Sequence, residues 1–337
     1  YIQAKYIREN MPCIIGESHA IQDVMQFVEK AAYSPDTPIL ITGESGTGKE
    51  LIAQAIHYKS PLFSGPFVAI NCAAIPKELI ESELFGYKKG AFSGATSTGK
   101  KGLIEEAHKG TLLLDEIGDL IPEAQAKLLR FLETGKYFKL GGTSELSAQV
   151  RIVSATNKNI KELIDQDRFR ADLYYRIGVI EVKIPSLIER RDDILPIARY
   201  FLAEFSEKFN KKITGFTNEA QSLLVDYQWK GNVRELKNII ERTVLVGSGG
   251  EIDLDDLGLD LSHTAGEQVS TPSAEQAELP FLTSAGLNLE ALERHYITEA
   301  LKLSDGNDKK AAELLQMNYY AFRYRKKKMA ESDNVAK

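Results

Sequence analysis

The sequence predicts an α/β protein: a parallel sheet covered by helices, then a small helical subdomain, then an all-α module at the C-terminal end. Three observations predict it. Between residues 14 and 185, short β-rich runs alternate with helix-length amphipathic stretches, the rhythm of successive strand–helix–strand units. A glycine-rich string, Gly43-Glu44-Ser45-Gly46-Thr47-Gly48-Lys49, falls between one such run and one such stretch. Beyond Pro185 the apolar period changes to three and four residues, the spacing of a helix face.

Strands are read at 38–42, 67–71, 111–115, 150–155 and 179–182. Each is a continuous apolar run, expected of a strand buried on both faces of a parallel sheet. Helices are read between them, including 49–57 and 123–133. In the next part, 191–208, 218–227 and 233–246 carry helical spacing, with starts at Thr217-Asn218 and Gly231-Asn232,. Residues 262–286 are rich in Ser, Thr, Glu, Gly and Pro with little apolar content, the composition of a flexible linker. Helices return at 289–303, at 308–315 and after Asn318. The division expected is 1–13 for an N-terminal linker remnant, 14–185 for the α/β core and 186–257 for the helical subdomain. Residues 258–286 form the linker, and 287–337 the C-terminal module.

A length of 337 residues accommodates this plan,. The net charge of −6 means that any nucleic-acid surface must be a local basic patch,. Cys13 and Cys72 lack ligand-like spacing, which argues against a disulfide framework or a zinc site and fits a reducing cytoplasm. The longest apolar runs, such as 39–41 and 112–114, fall far short of the roughly 20 residues of a membrane span. No membrane partner and no signal peptide are expected. The chain opens on Tyr1 rather than Met, so further sequence upstream is expected.

The spacing of 43–49 matches G-x-x-x-x-G-K. Glycines let backbone N–H groups close around phosphate oxygens, the following helix adds its dipole, and Lys49 adds a point charge at the β/γ-phosphates. A glycine-rich turn without a ligand is the plain alternative; the strand before, the helix after and the lysine in register weigh against it. Glu50 stands where Ser or Thr usually meets Mg²⁺. The run 111–114 ends in Asp115-Glu116, where an Asp that holds the metal, partly through water, and a Glu that activates water belong. A solvated strand end is the alternative there. ATP and Mg are therefore the expected cofactors.

With these residues together, the chain resembles the bacterial enhancer-binding proteins, AAA+ P-loop activators of RNA polymerase carrying sigma-54. The resemblance covers about 14–257 and 287–329. In that family the phosphate loop also ends in Glu, so Glu50 is a match. Most specific is Gly90-Ala91-Phe92-Ser93-Gly94-Ala95, which resembles the loop that touches sigma-54. The family has Thr where Ser93 stands, so a hydroxyl is kept and a methyl lost. Alone, the string reads equally well as a glycine-rich hairpin; between the two nucleotide motifs it points to a mobile tip with one aromatic for a protein partner.

The resemblance implies further roles. Asn71 would hold Glu116 until the nucleotide state changes. Thr156-Asn157 resembles a sensor of the γ-phosphate, and Arg234 a second sensor on the helical lid. Arg170 and Arg176 match a pair that reaches a neighbouring subunit's ATP, a task suited to guanidinium, which implies a ring of about six chains. A surface ion pair is the plain alternative for either arginine. Ile15-Gly16 resembles the segment beside the adenine. The family also carries an upstream regulatory domain, often the phosphoryl-accepting receiver of a two-component system.

In the C-terminal module, residues 319–328 hold five basic side chains and no acidic one. Two short helices, the second basic and aromatic, suggest a helix-turn-helix with its last helix in the major groove. Asn318, Tyr319, Tyr320, Arg323, Arg325, Lys326 and Lys327 are the expected DNA contacts, mostly to phosphates; a solvated basic tail is the alternative. The family ends in such a Fis-like dimerising domain, whose second helix resembles 311–315, although Gln316 replaces a common glycine.

The resulting expectation is a transcription activator. It binds double-stranded enhancer DNA, forms a ring, and uses ATP hydrolysis to remodel the closed complex of the sigma-54 RNA polymerase holoenzyme through the Phe92 loop. An AAA+ unfoldase or protease subunit would instead need an aromatic pore loop and a peptidase partner. A DNA-binding module with the ATPase as a switch would not need Glu116, Arg170 and Arg176.

Overall fold

The computed structural model describes residues 13–91, 99–247, 249–259, 289–304, 306–315, 317, 319, 322–323 and 325–326. Of the sequence expectations, Phe92, Ser93, Gly94, Ala95, Asn318, Tyr320, Lys327, most of the N-terminal remnant and nearly all of the linker lie outside these residues. The chain divides into two compact units, Tyr1–Glu267 and Gln268–Lys337.

The first unit begins α1 (His19–Ala32), β1 (Ile39–Thr42), α2 (Lys49–Tyr58), β2 (Phe67–Asn71), α3 (Ile80–Phe85), α4 (Leu103–Glu106) and β3 (Thr111–Asp115). It continues α5 (Pro122–Thr134), β4 (Lys136–Phe138), β5 (Glu145–Ser147), β6 (Arg151–Thr156), α6 (Ile160–Asp165), α7 (Ala171–Ile177) and β7 (Ile180–Lys183). Five strands form one parallel sheet in the order β2-β3-β6-β1-β7. Asn71 pairs with Asp115 and Thr42 with Thr156, so the strand ends align along one edge, where open parallel sheets hold their ligands.

Side chains alternate across the sheet. Leu112, Leu114 and Ile152 enter a core with Leu128 and Phe131 of α5. Leu113, Val153 and Ile41 enter another with Val28 of α1 and Ile52 of α2. The three central strands are buried as expected, but β2 and β7 are not: Ala69, Glu181 and Lys183 are exposed. Both are edge strands, so an apolar run there lacks a neighbour on one side.

After a 3₁₀ turn (Leu187–Asp193) come α8 (Ile194–Lys208), β8 (Ile213–Phe216), α9 (Asn218–Asp226), α10 (Asn232–Val246), β9 (Gly250–Ile252) and α11 (Leu254–Leu257). Thr217 caps α9, its hydroxyl accepting from the Ala220 N–H,. A core around Phe205 and Trp229 joins these elements, and the Trp229 indole donates to Leu224 O at 2.7 Å. The expectation of an all-helical subdomain is corrected by β8 and β9, which pair in parallel. Strands of three and four residues leave too little periodicity to detect; the β4–β5 hairpin was hidden for the same reason.

In the second unit, α12 (Leu289–Leu303) and α13 (Asp308–Leu314) pack Ile297, Ala300, Ala311 and Ala312 around Phe322. Asn307 caps α13 by accepting from the N–H groups of Lys309 and Lys310. Helical backbone is described again at 319, 322–323 and 325–326. Among the described residues no helix is long and apolar enough to cross a membrane.

Candidate functional site

At the end of β1 the chain turns through Gly46 at φ +80° and Gly48 at φ +100° before α2 starts at Lys49. Gly46 is irreplaceable twice over: a Cβ there would lie 2.2 Å from Gly231 O, and its φ favours glycine. Lys49 is buried, and its Nζ donates to Gly43 O at 2.9 Å and Glu44 O at 3.0 Å. Burial lowers its pKa; Glu116 and Asp115 oppose that, and Arg234 adds to it,.

β3 delivers the carboxylates. Asp115 Oδ1 accepts the Glu116 N–H at 3.0 Å. Glu116 itself sits at φ +51°, a conformation costly for a residue with a Cβ and common at functional sites. The Asn157 N–H donates to Glu116 Oε2 at 3.3 Å. Asn71 departs from expectation: its Nδ2 reaches Asp115 Oδ2 at 3.4 Å rather than Glu116. The reason lies in the register, which sets Asn71 directly opposite Asp115, while Asn71 Oδ1 is occupied by the N–H groups of Ala73 and Ala74.

The helical subdomain closes over the loop. Arg234 Nη1 donates to Ser45 Oγ at 2.9 Å, and its N–H to Gly46 O at 3.3 Å. Asn232, fully buried at φ +53°, donates to Glu44 Oε2 at 2.9 Å and Ser45 O at 3.1 Å. Arg190 Nη2 donates to Thr47 O at 2.9 Å. Together these groups enclose a cavity of about 610 Å³ lined by 45–52, Asp115, Glu116, Arg190 and Arg234, with Ile14 and Ile15 at its side. Gly43, Glu44, Gly16, Asn71 and Asn157 are not in its lining. A Cβ on Gly16 would lie 2.6 Å from Ile21 Cγ2, so Gly16 lets the chain pack closely against α1.

Arg170 and Arg176 do not line this cavity either. Arg170 is exposed and forks onto Asp172, with contacts of 3.1 and 2.7 Å; that bond raises its pKa. Arg176 Nη2 donates to Leu132 O at 3.0 Å. At the base of the 90–95 segment, Lys88 N–H donates to Leu140 O at 3.0 Å, and Tyr87 exchanges hydrogen bonds with Lys100.

Residues 14–183 match the Sigma-54 interaction domain, 188–274 the AAA+ ATPase lid domain, and 288–329 the bacterial regulatory protein, Fis family. The chain belongs to the sigma-54-dependent activator family. It is 41% identical over 315 residues to the regulatory protein AtoC of Escherichia coli (strain K12), covering 93% of this chain and 66% of that protein. It is 42% identical over 324 residues to the Nif-specific regulatory protein of Azotobacter vinelandii, covering 96% and 60%. The chain thus spans about three fifths to two thirds of these relatives. The crystal structure of NtrX from Brucella abortus in complex with ADP superposes with a TM-score of 0.69 at 32% identity, covering 97% of this chain and 71% of that one.

In the Fis-family module, Phe322 is buried while Arg323 and Arg325 are exposed. The Arg323 guanidinium lies 5.9 Å from the Tyr319 ring. Lys326 is held by Asp308 in the first turn of α13, where the packing around Phe322 brings these two helices together. Sequence reasoning missed Arg190, Asn232 and the α8 face Ile197, Tyr200, Phe201 and Glu204, all but Asn232 lining the cavity. Their helical spacing reads as an ordinary core stripe, and no local signal separates the two.

Proposed function

We propose that this chain hydrolyses ATP at the cavity between sheet and lid and uses the cycle to remodel a sigma-54 RNA polymerase complex. The observation that carries the reading is the meeting, around one cavity, of a phosphate loop, two strand-end carboxylates and two lid arginines. The loop N–H groups and Lys49 hold the phosphates. Glu116, its carboxylate oriented by the Asn157 N–H, takes the proton of the attacking water. Arg234 reports the phosphates to the lid, with Asn71 and Asn157 following the nucleotide state. Arg170 and Arg176 serve a neighbouring chain's ATP, since neither lines the cavity of its own chain. The 90–95 loop, Phe92 at its centre, meets sigma-54, and Arg323 and Arg325 meet enhancer DNA.

The donor set fits magnesium. Among the described residues no cluster of three metal-binding side chains occurs, and a hard cation that keeps several waters needs one or two carboxylates plus phosphate oxygens. Asp115, lining the cavity with Glu50 and Glu116 beside it, would hold it. When bound, the ion neutralises charge developing on the phosphoryl oxygens. The boundaries 14–185, 186–257, 258–286 and 287–337, a ring of about six chains, dimerisation through the last module and a cytoplasmic setting belong to the same proposal.

The test follows ATP hydrolysis against protein concentration and capture of purified sigma-54 with an ATP transition-state analogue. Specific activity rising with concentration, together with capture, is expected. Activity independent of concentration and no capture would return the switch and unfoldase readings.

A further inference from the structure

Five successive carbonyls of the phosphate loop each have a donor. Those of Gly43 and Glu44 take Lys49 Nζ. The next three are held from the lid side: Ser45 O by Asn232 Nδ2 at 3.1 Å, Gly46 O by the Arg234 N–H at 3.3 Å, and Thr47 O by Arg190 Nη2 at 2.9 Å. In a planar trans peptide the C=O of one residue and the N–H of the next point in opposite directions. Pinning the carbonyls of 45–47 toward the lid therefore turns the N–H groups of Gly46, Thr47 and Gly48 away from it. Among the described residues no hydrogen bond within the chain takes these three N–H groups, the arrangement of an anion-binding nest.

Arg190 and Asn232 are themselves fixed. Arg190 is 4% exposed and Asn232 fully buried. Asn232 Oδ1 accepts the Leu187 N–H at 2.7 Å. Three residues beyond Arg190, the buried Asp193 accepts from the N–H groups of Glu17 and Ser18 and from Ser18 Oγ at 2.6–2.8 Å. Its charge lies near the Arg190 guanidinium.

We propose that Arg190 and Asn232 are positioning residues for phosphate binding: they hold the Thr47 and Ser45 carbonyls and thereby aim the N–H groups of Gly48 and Gly46 at the phosphates. The loop is then competent only while the lid is docked on it. This rests on the nucleotide-site reading above, which Lys49→Ala tests separately: a Lys49→Ala protein that binds ATP like the parent would sink that reading alone.

The experiment measures affinities for ATP and for adenosine in the full chain, with thermal unfolding alongside. Arg190→Met removes the donor and should weaken ATP about tenfold or more, the scale of one misdirected hydrogen bond to a charged group, while adenosine affinity stays put. Arg190→Lys keeps an N–H donor that ends one bond short of Nη2 and should retain most of the ATP affinity. Asn232→Asp keeps the acceptor for Leu187 but loses the donor for Ser45, and should resemble Arg190→Met; it decides the matter if Arg190→Met does not fold. Equal losses for ATP and adenosine would mean a merely structural role and overturn the proposal. A Lys variant as weak as Met would show that restoring a donor does not restore binding and overturn it too, as would parental ATP affinity in both Arg190→Met and Asn232→Asp.

Discussion

Gly46 and Gly90 hold similar backbone conformations, φ +80° and +75°, in two glycine-rich segments. Around Gly46 there is no room: a Cβ would meet Gly231 O at 2.2 Å and Arg234 Cβ at 3.0 Å. Around Gly90 no atom of the described residues lies within 4 Å of the same position. One glycine lets two parts of the site approach closely, and the other lets the chain turn with no such approach among the described residues. The contrast extends to the surroundings. The phosphate loop is pinned by carbonyl contacts from Arg190, Asn232 and Arg234, whereas Ala91 is tied to its neighbour Lys88. A segment so held suits preorganised chemistry.

If that division is right, substitutions on the phosphate side should act on nucleotide chemistry and those on the other should spare it. Glu116→Gln should have the largest effect, lowering turnover about 10²–10⁴-fold, the usual contribution of a general base, with ATP still bound. Phosphate release and nucleotide titration on one preparation check it; normal turnover would remove Glu116 from the mechanism.

Gly46→Ala comes next. The clash with Gly231 must unseat the lid, so ATP affinity should fall about tenfold or more, while Gly90→Ala should cost only the roughly 1 kcal/mol of a left-handed alanine and leave affinity unchanged. Equal effects at the two sites would erase the contrast.

The opposite edge of the sheet, at the far end of α2 from the phosphate loop, offers a pH test. His57, on α2, is fully buried with its Nδ1 2.9 Å from Thr111 Oγ1. Burial first, then the Arg151 charge, pushes its pKa down to about 4, against a hydrogen bond with Gly65 that raises it. A depressed pKa means that the stability is intact above the unfolded value of about 6.5 and is lost as pH falls toward about 4, by about 3 kcal/mol in all. Denaturant unfolding across that window should show the loss, and His57→Gln should flatten it.

Phe92→Ala should have the smallest effect on the nucleotide site. Hydrolysis should stay within about twofold while open-complex formation at a sigma-54 promoter disappears, as when one aromatic anchor leaves an interface. Parallel loss of both activities would make the loop structural.

What was legible was local. The bounds of β2, β3 and α12 match the sequence reading residue for residue, because an apolar run or a helical period is written within a few neighbours. The phosphate loop was legible for the same reason: its glycines, lysine, strand and helix are contiguous. The C-terminal basic helix could be read as a charge pattern, but the ion pair of Lys326 with Asp308, which depends on its packing, could not.

The rest was decided by folding. Burial of β2 and β7 depended on their place at the sheet edges, which no run of residues records. The partner of Asn71 depended on register between two strands. Arg190 and Asn232 meet the phosphate loop across 143 and 187 residues of chain. Hydrogen bonds between groups so distant leave no periodicity or spacing behind, so their donors read as ordinary polar residues until the lid is seen closed on the loop.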